Sequence, residues 1–211
     1  MTSLDTSALQ SLALRGKSKT ERPGWRPLEL SELNPGLYLG CDQSLAAAGL
    51  VLFEVGAERD RWTVHVAQKI TIVRTEHSGW EDILQRALTL DSHFKSFMHA
   101  WITDSDWDDI MAVHEAPPIG GGKLVNPEIS LIAAYAFRCA TLGLRQLPMV
   151  RRQDHAKLIC GNGNATKAQH HAALKPYFEH IRGSTAITNE ATRDALSVAI
   201  FAARRARKDP S

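Results

Sequence analysis

The sequence predicts an α/β fold: a mixed sheet of five strands flanked by helices. Three observations carry that prediction. Apolar segments at 37–42, 49–55 and 62–73 are joined by connections short enough for hairpins, so the first three strands run antiparallel. Beyond residue 78, helical and extended patterns alternate, which builds further strands with helices packed on them. No internal repeat interrupts this order, and 211 residues suffice for one domain with a substantial core.

Taken in order, residues 1–36 read as an N-terminal extension, with a linker composition from Gly16 to Gly24. The domain is expected over 37–205 and a basic tail over 206–211. After the three strands, Ser78-Gly79-Trp80-Glu81 reads as a capping box opening a helix that runs to about Ala100. Residues 110–115 make a fourth strand. Asn126-Pro127-Glu128 opens a second helix that stops at Gly143. Residues 148–151 are a short fifth strand, and helices follow at about 165–181 and 189–208.

Composition excludes several classes. Hydrophobic residues make up 44% and charged residues 23%, ordinary for a soluble globular protein. No apolar run approaches the roughly 20 residues that span a bilayer. Met1-Thr2-Ser3-Leu4-Asp5 is not a secretory signal, so a cytoplasmic location is expected. Cys41, Cys139 and Cys160 are scattered in apolar sequence and read as free thiols. Charge is uneven: residues 151–211 hold eleven Lys/Arg against five Asp/Glu, whereas 37–150 hold nine against fourteen. A basic third suggests a polyanionic partner; a solvated helical surface is the plainer alternative.

The chemistry centres on acids at strand ends. Asp42 closes the apolar segment 37–42, and desolvating it requires a metal, a proton or a cation in compensation. It can equally cap the turn that follows. Glu115 closes the fourth strand in the same way. If those strands are neighbours, both carboxylates emerge at one rim. Glu190 and Asp194, at i and i+4, share a face of the last helix, which can lean over that rim. Clustered carboxylates suit Mg²⁺ or Mn²⁺, and two such ions about 4 Å apart serve in-line phosphodiester hydrolysis.

At this point the motifs become familiar. Gly40-Cys41-Asp42-Gln43-Ser44-Leu45 with Gly49 resembles the first motif of the RuvC-type Holliday junction resolvases, which have an RNase H-like fold. Val113-His114-Glu115 resembles their second motif. The stretch from Ala156 to Gln169 resembles their loop and basic helix start, and Arg193-Asp194-Ala195-Leu196-Ser197-Val198-Ala199 their final acidic motif. The resemblance implies an Mg²⁺-dependent, homodimeric endonuclease, with Mn²⁺ substituting, that uses two ions to nick opposing strands of four-way DNA and leave 5′-phosphates. It implies Asp42, Glu115 and Asp194 as metal ligands and Lys167 on the phosphate backbone. Two departures stand out: Ala191 occupies a position where the family often has an acid, with Glu190 as substitute ligand, and Pro118 stands where bacterial enzymes carry an aromatic wedge. A phage-encoded relative acting on branched DNA generally would fit that drift.

Lys157, Arg151, Arg152, Lys123, Arg204 and Arg205 are the further candidate DNA contacts. The helix over 126–143 is either a dimer seam or simply buried on the sheet. Gly120-Gly121-Gly122-Lys123 fails as a phosphate loop because Leu124 replaces Ser/Thr, and no nucleotide cofactor is expected. His170 and His171 lack an i+4 partner and read as core-edge or solvated histidines. His114 points to the sheet face opposite Glu115. The rival functions are a broader fork or flap nuclease and a junction-binding protein without cleavage.

Overall fold

In a computed structural model, residues 26–59, 61–74, 76, 78–102, 108–117 and 127–206 are described. Strands β1 (Gly36–Asp42), β2 (Ala47–Val55) and β3 (Trp62–Thr71) form the antiparallel meander. Helix α1 (Trp80–Trp101) leads to β4 (Ile110–His114), which pairs parallel with β1. Helix α2 (Pro127–Ala140) precedes β5 (Arg145–Gln146), then α3 (Arg152–Cys160) and α4 (Lys167–Leu174). A 3-10 turn (Lys175–His180), β6 (Ile181–Arg182) and α5 (Glu190–Arg205) follow. The sheet order is β5-β4-β1-β2-β3-β6, antiparallel in the middle and parallel toward both edges.

Strand alternation decides what each face holds. Tyr38, Val51, Phe53 and Val113 point to one face and pack under Ala195, Leu196, Val198 and Ala199 of α5. Leu39, Cys41, Leu50 and Leu52 point to the other, against Phe94 of α1 and Phe137 of α2. Each such aliphatic or aromatic side chain withdrawn from water contributes about 1.5–3 kcal/mol. Twelve of the sixteen residues of α5 are buried, so this helix lies inside the molecule. Asn189 and Thr192 cap it reciprocally.

Five local expectations need correction. Gly79, not Ser78, is the N-cap residue of α1; it takes φ 63° and makes no side-chain cap bond, leaving Ser78 one residue outside the capping position. The fifth strand lies earlier, at Arg145–Gln146, and Val150 adds a single parallel bridge to Glu115. Between the two the register slips by one residue: four positions separate Gln146 from Val150, and three separate their partners Ala112 and Glu115. A sixth, two-residue strand pairs with β3. The helix expected over 165–181 stops at Leu174, because Pro176 supplies no amide hydrogen for another helical turn. Helix α3 forms where the sequence reading placed none.

Residues 26–36 lie against the domain. Leu28 and Leu33 are buried, the Leu28 amide donates to Tyr177 Oη at 2.8 Å, and the Asn34 amide donates to the Ala203 carbonyl at 2.8 Å. Trp62 is buried between Phe53 and Tyr177, whereas Trp80 and Trp101 are exposed; Trp25 and Trp107 lie outside the described residues. Among the described residues no helix is long and apolar enough to cross a membrane.

Candidate active site

Three elements bring the acids together. Cys41 and His114 are parallel partners, so Asp42 and Glu115, one residue further on, leave the sheet at the same edge. Both share the side-chain parity of Tyr38 and Val113, which puts them under α5. Helix α5 comes unusually close there: a Cβ on Gly40 would meet Ala199 Cβ at 2.9 Å and the Ala195 carbonyl closer still. One on Gly49, the partner of Asp42, would run into the main chain of Ala191 and Thr192. These two glycines let the first turns of α5, carrying Glu190 and Asp194, settle over the ends of β1 and β2.

The carboxylates feel one another. Burial, then repulsion from Glu115, Asp194 and Glu190, pushes the Asp42 carboxyl well above the usual carboxylate range, with Lys167 opposing. Burial and the Asp194 charge raise Glu115 to about 7, against Arg152, Lys167 and His170. Burial also works against the Asp194 charge, yet hydrogen bonds from His170 and His171 outweigh it and hold this carboxyl at about 2. Lys167 forms an ion pair with Glu190 and lies 3.7 Å from Asp194 Oδ2.

Sequence reasoning missed three histidines in this site. His155 of α3 is buried, and its Nε2 lies 3.0 Å from Glu115 Oε2 while its Nδ1 has no hydrogen-bond partner among the described residues. His171 Nε2 and His170 Nδ1 of α4 lie 3.1 and 3.4 Å from Asp194 Oδ1. Among the described residues, the set of three ligand atoms all within 4.8 Å of one another is His170, His171 and Asp194. The adjacent pair His170-His171 was visible in the sequence, but its partner sits 23 residues on and on another helix. Gln43 Nε2 also donates to the Glu115 carbonyl at 2.6 Å, tying the ends of β1 and β4 together. His114 lies on the opposite face, its Nε2 accepting from Arg138 Nε at 3.3 Å.

The candidate DNA contacts divide by position. Lys167 reaches the acids, and Arg152, exposed at the start of α3, influences Glu115. Lys157 is exposed on the same helix, and Arg151 pairs with Asp154 at 2.9 Å. Arg204 and Arg205 sit ten residues or more beyond Asp194, roughly 15 Å along the helix. There Arg204 approaches Glu32 at 3.5 Å and Arg205 lies over the Phe201 ring. Lys123 and Pro118 lie outside the described residues.

No protein-family model and no curated protein matches the chain. Solved structures do. Thermus thermophilus RuvC superposes with a TM-score of 0.60 at 14% identity, covering 80% of this chain and 93% of that one. The chain has the RuvC-type resolvase fold. The T. thermophilus RuvC in complex with a Holliday junction substrate gives 0.57 at 12% identity, with coverages of 80% and 93%. The yeast mitochondrial Holliday junction resolvase Ydc2 gives 0.52 at 13%, covering 96% of this chain and 93% of that one. The antiparallel meander, parallel β4 and closing helix α5 are thus one RuvC-type arrangement, with Asp42, Glu115 and Asp194 at its strand and helix ends.

Proposed function

We propose that this chain is a divalent-metal-dependent endonuclease that resolves four-way DNA junctions. The observation that carries the reading is the convergence of half-buried Asp42 and Glu115 with buried Asp194 at one edge of a RuvC-type fold. The donor set fits hard divalent cations, since acids this desolvated and mutually repelling require positive charge that Lys167 alone does not supply. Asp42, Glu115 and Asp194 would hold two Mg²⁺, or Mn²⁺, with Glu190 as a further oxygen donor. When bound, such ions generate the nucleophilic hydroxide and stabilise the leaving oxygen of an in-line displacement.

The chain's own groups orient the substrate. Lys167, paired with Glu190 and near Asp194, would meet the phosphate backbone. Arg151, Arg152 and Lys157 extend positive charge along α3, and Lys123, Arg204 and Arg205 are assigned to more distant phosphates. Homodimerisation through α1 and α2 is part of the reading: Leu84 and Leu88 on α1, Leu131 and Tyr135 on α2, and Leu142 just after it are exposed. A RuvC bearing a Holliday junction is among the structural neighbours, which supports branched DNA as substrate.

The test is a comparative digestion of labelled four-way junction, fork, flap and linear duplex in Mg²⁺. Paired nicks on the junction with 5′-phosphate ends are expected, and Asp42→Asn and Glu115→Gln are expected to bind junctions without cutting. Retained cutting by either variant contradicts the assignment. A gel shift without nicks means a binding protein instead, and equal cutting of forks and flaps means a broader branched-DNA nuclease.

A further inference from the structure

Helix α4 is held at its start by a reciprocal cap between Thr166 and Gln169, and it presents two consecutive histidines to α5. His170 is 2% exposed and His171 13%, facing an Asp194 side chain that is 6% exposed. Both rings address the same oxygen, Oδ1, while Oδ2 faces Lys167. One carboxylate therefore serves two neighbourhoods: the acid rim through one oxygen and the imidazole pair through the other. Glu190, the acid expected to replace the one missing at Ala191, is half exposed and turned to Lys167.

We propose that His171 Nε2, His170 Nδ1 and Asp194 Oδ1 form a cation position that takes a borderline transition ion, such as Co²⁺ or Zn²⁺, in preference to Mg²⁺. The spacing suits it: donors bonded at about 2.1 Å to one tetrahedral or octahedral ion lie roughly 3.0–3.4 Å apart. The contacts to Oδ1 are 3.1 and 3.4 Å, and all three donors fall within 4.8 Å. Two imidazole nitrogens favour Zn²⁺ or Co²⁺, whereas Mg²⁺ demands oxygen. The second layer is in place as well. His170 Nε2 lies 3.0 Å from Ser197 Oγ, a hydroxyl that either donates or accepts. In the tautomer with its hydrogen on Nε2, the ring donates to Ser197 Oγ and presents the Nδ1 lone pair to the ion, hydrogen-bonded and oriented.

The inference deepens the metal-dependent reading of the acid rim, on which its meaning for cleavage rests; ion binding itself is read separately. The experiment is a titration of the full chain with Co²⁺, followed by visible ligand-field absorption with and without millimolar Mg²⁺. Imidazole ¹⁵N shifts are recorded on adding Zn²⁺. Expected are one Co²⁺ with nitrogen-ligand bands that Mg²⁺ does not displace, and shifts confined to His170 and His171. His171→Ala, at the more exposed ring, should weaken Co²⁺ binding roughly 10–100-fold, while Asp42→Asn keeps the bands. Bands unchanged in His171→Ala, or ¹⁵N shifts absent from both rings in wild type, overturn the proposal whatever the variants' folding. Junction cleavage in Mg²⁺ without the nitrogen signature overturns this site and leaves the nuclease standing. The signature without any cleavage does the reverse.

Discussion

Gly40→Ala tests how α5 sets the site. Gly40 lies two residues before Asp42 on the same face of β1, directly beneath Ala195 and Ala199. An added methyl would sit 2.9 Å from Ala199 Cβ, 3.1 Å from its amide nitrogen and nearer still to the Ala195 carbonyl. Ordinary carbon contacts begin near 3.4 Å, and the obstacle is main chain, which has no rotamer to escape into. The helix must therefore lift by about 1 Å, and Asp194, adjacent to Ala195, lifts with it. Overpacking of this kind costs about 1–3 kcal/mol. A 1 Å misplacement of a reacting group costs on the order of 100-fold in rate. Urea unfolding and single-turnover junction cleavage measure the two effects. Gly79→Ala provides the contrast: its φ of 63° makes alanine locally strained, but nothing lies within 4 Å of the new methyl. It should lose stability while the folded protein cuts normally. A Gly40→Ala protein with wild-type unfolding midpoint and wild-type cleavage would refute the argument that α5 rests on β1 at this glycine.

Three further outcomes follow from the same geometry. Without divalent ions, Asp42→Asn should be more stable than wild type by roughly 1 kcal/mol, or about 2–4 °C in Tm, because it removes a desolvated charge from among like charges; a lower Tm would contradict this. His114 is 1% exposed, and burial holds it at about 4 against an ordinary 6.5, so the unfolded chain binds its proton more tightly. Stability is then lost as pH falls from about 6.5 toward 4, by about 2 kcal/mol between pH 7 and 5 from this ring; because Glu115, raised to about 7, acts in the opposite direction over that interval, the check is the difference between wild type and His114→Gln, and identical pH profiles for the two would rule it out. Lys157→Ala should reduce the slope of log affinity against log salt by about 1 for junction DNA, with nicking at saturation unchanged; an unaltered slope would remove Lys157 from the interface.

What was readable in the chain was local. The ends of the apolar segments put Asp42 and Glu115 at one rim on condition that their strands are neighbours, and the position of Asn189 announced the start of α5. His114 fell on the face opposite Glu115 by strand alternation. Two of the misreadings involved a backbone that departs from the average: Gly79 at positive φ and Pro176 ending a helix. The histidine layer was of another kind. His155 meets Glu115 across 40 residues, and His171 meets Asp194 across 23, from helices whose mutual placement no periodicity records.

The sequence by itself thus determined which side of a strand or helix each acid occupies, because that depends only on the 2.0 and 3.6 residue periods of the backbone. Tertiary structure alone decided how near the faces come. Two glycines admit α5 onto the sheet, and that approach sets which nitrogen meets which oxygen. Distances between elements are fixed by side-chain volume summed over a whole packed core, a quantity no short stretch of chain contains.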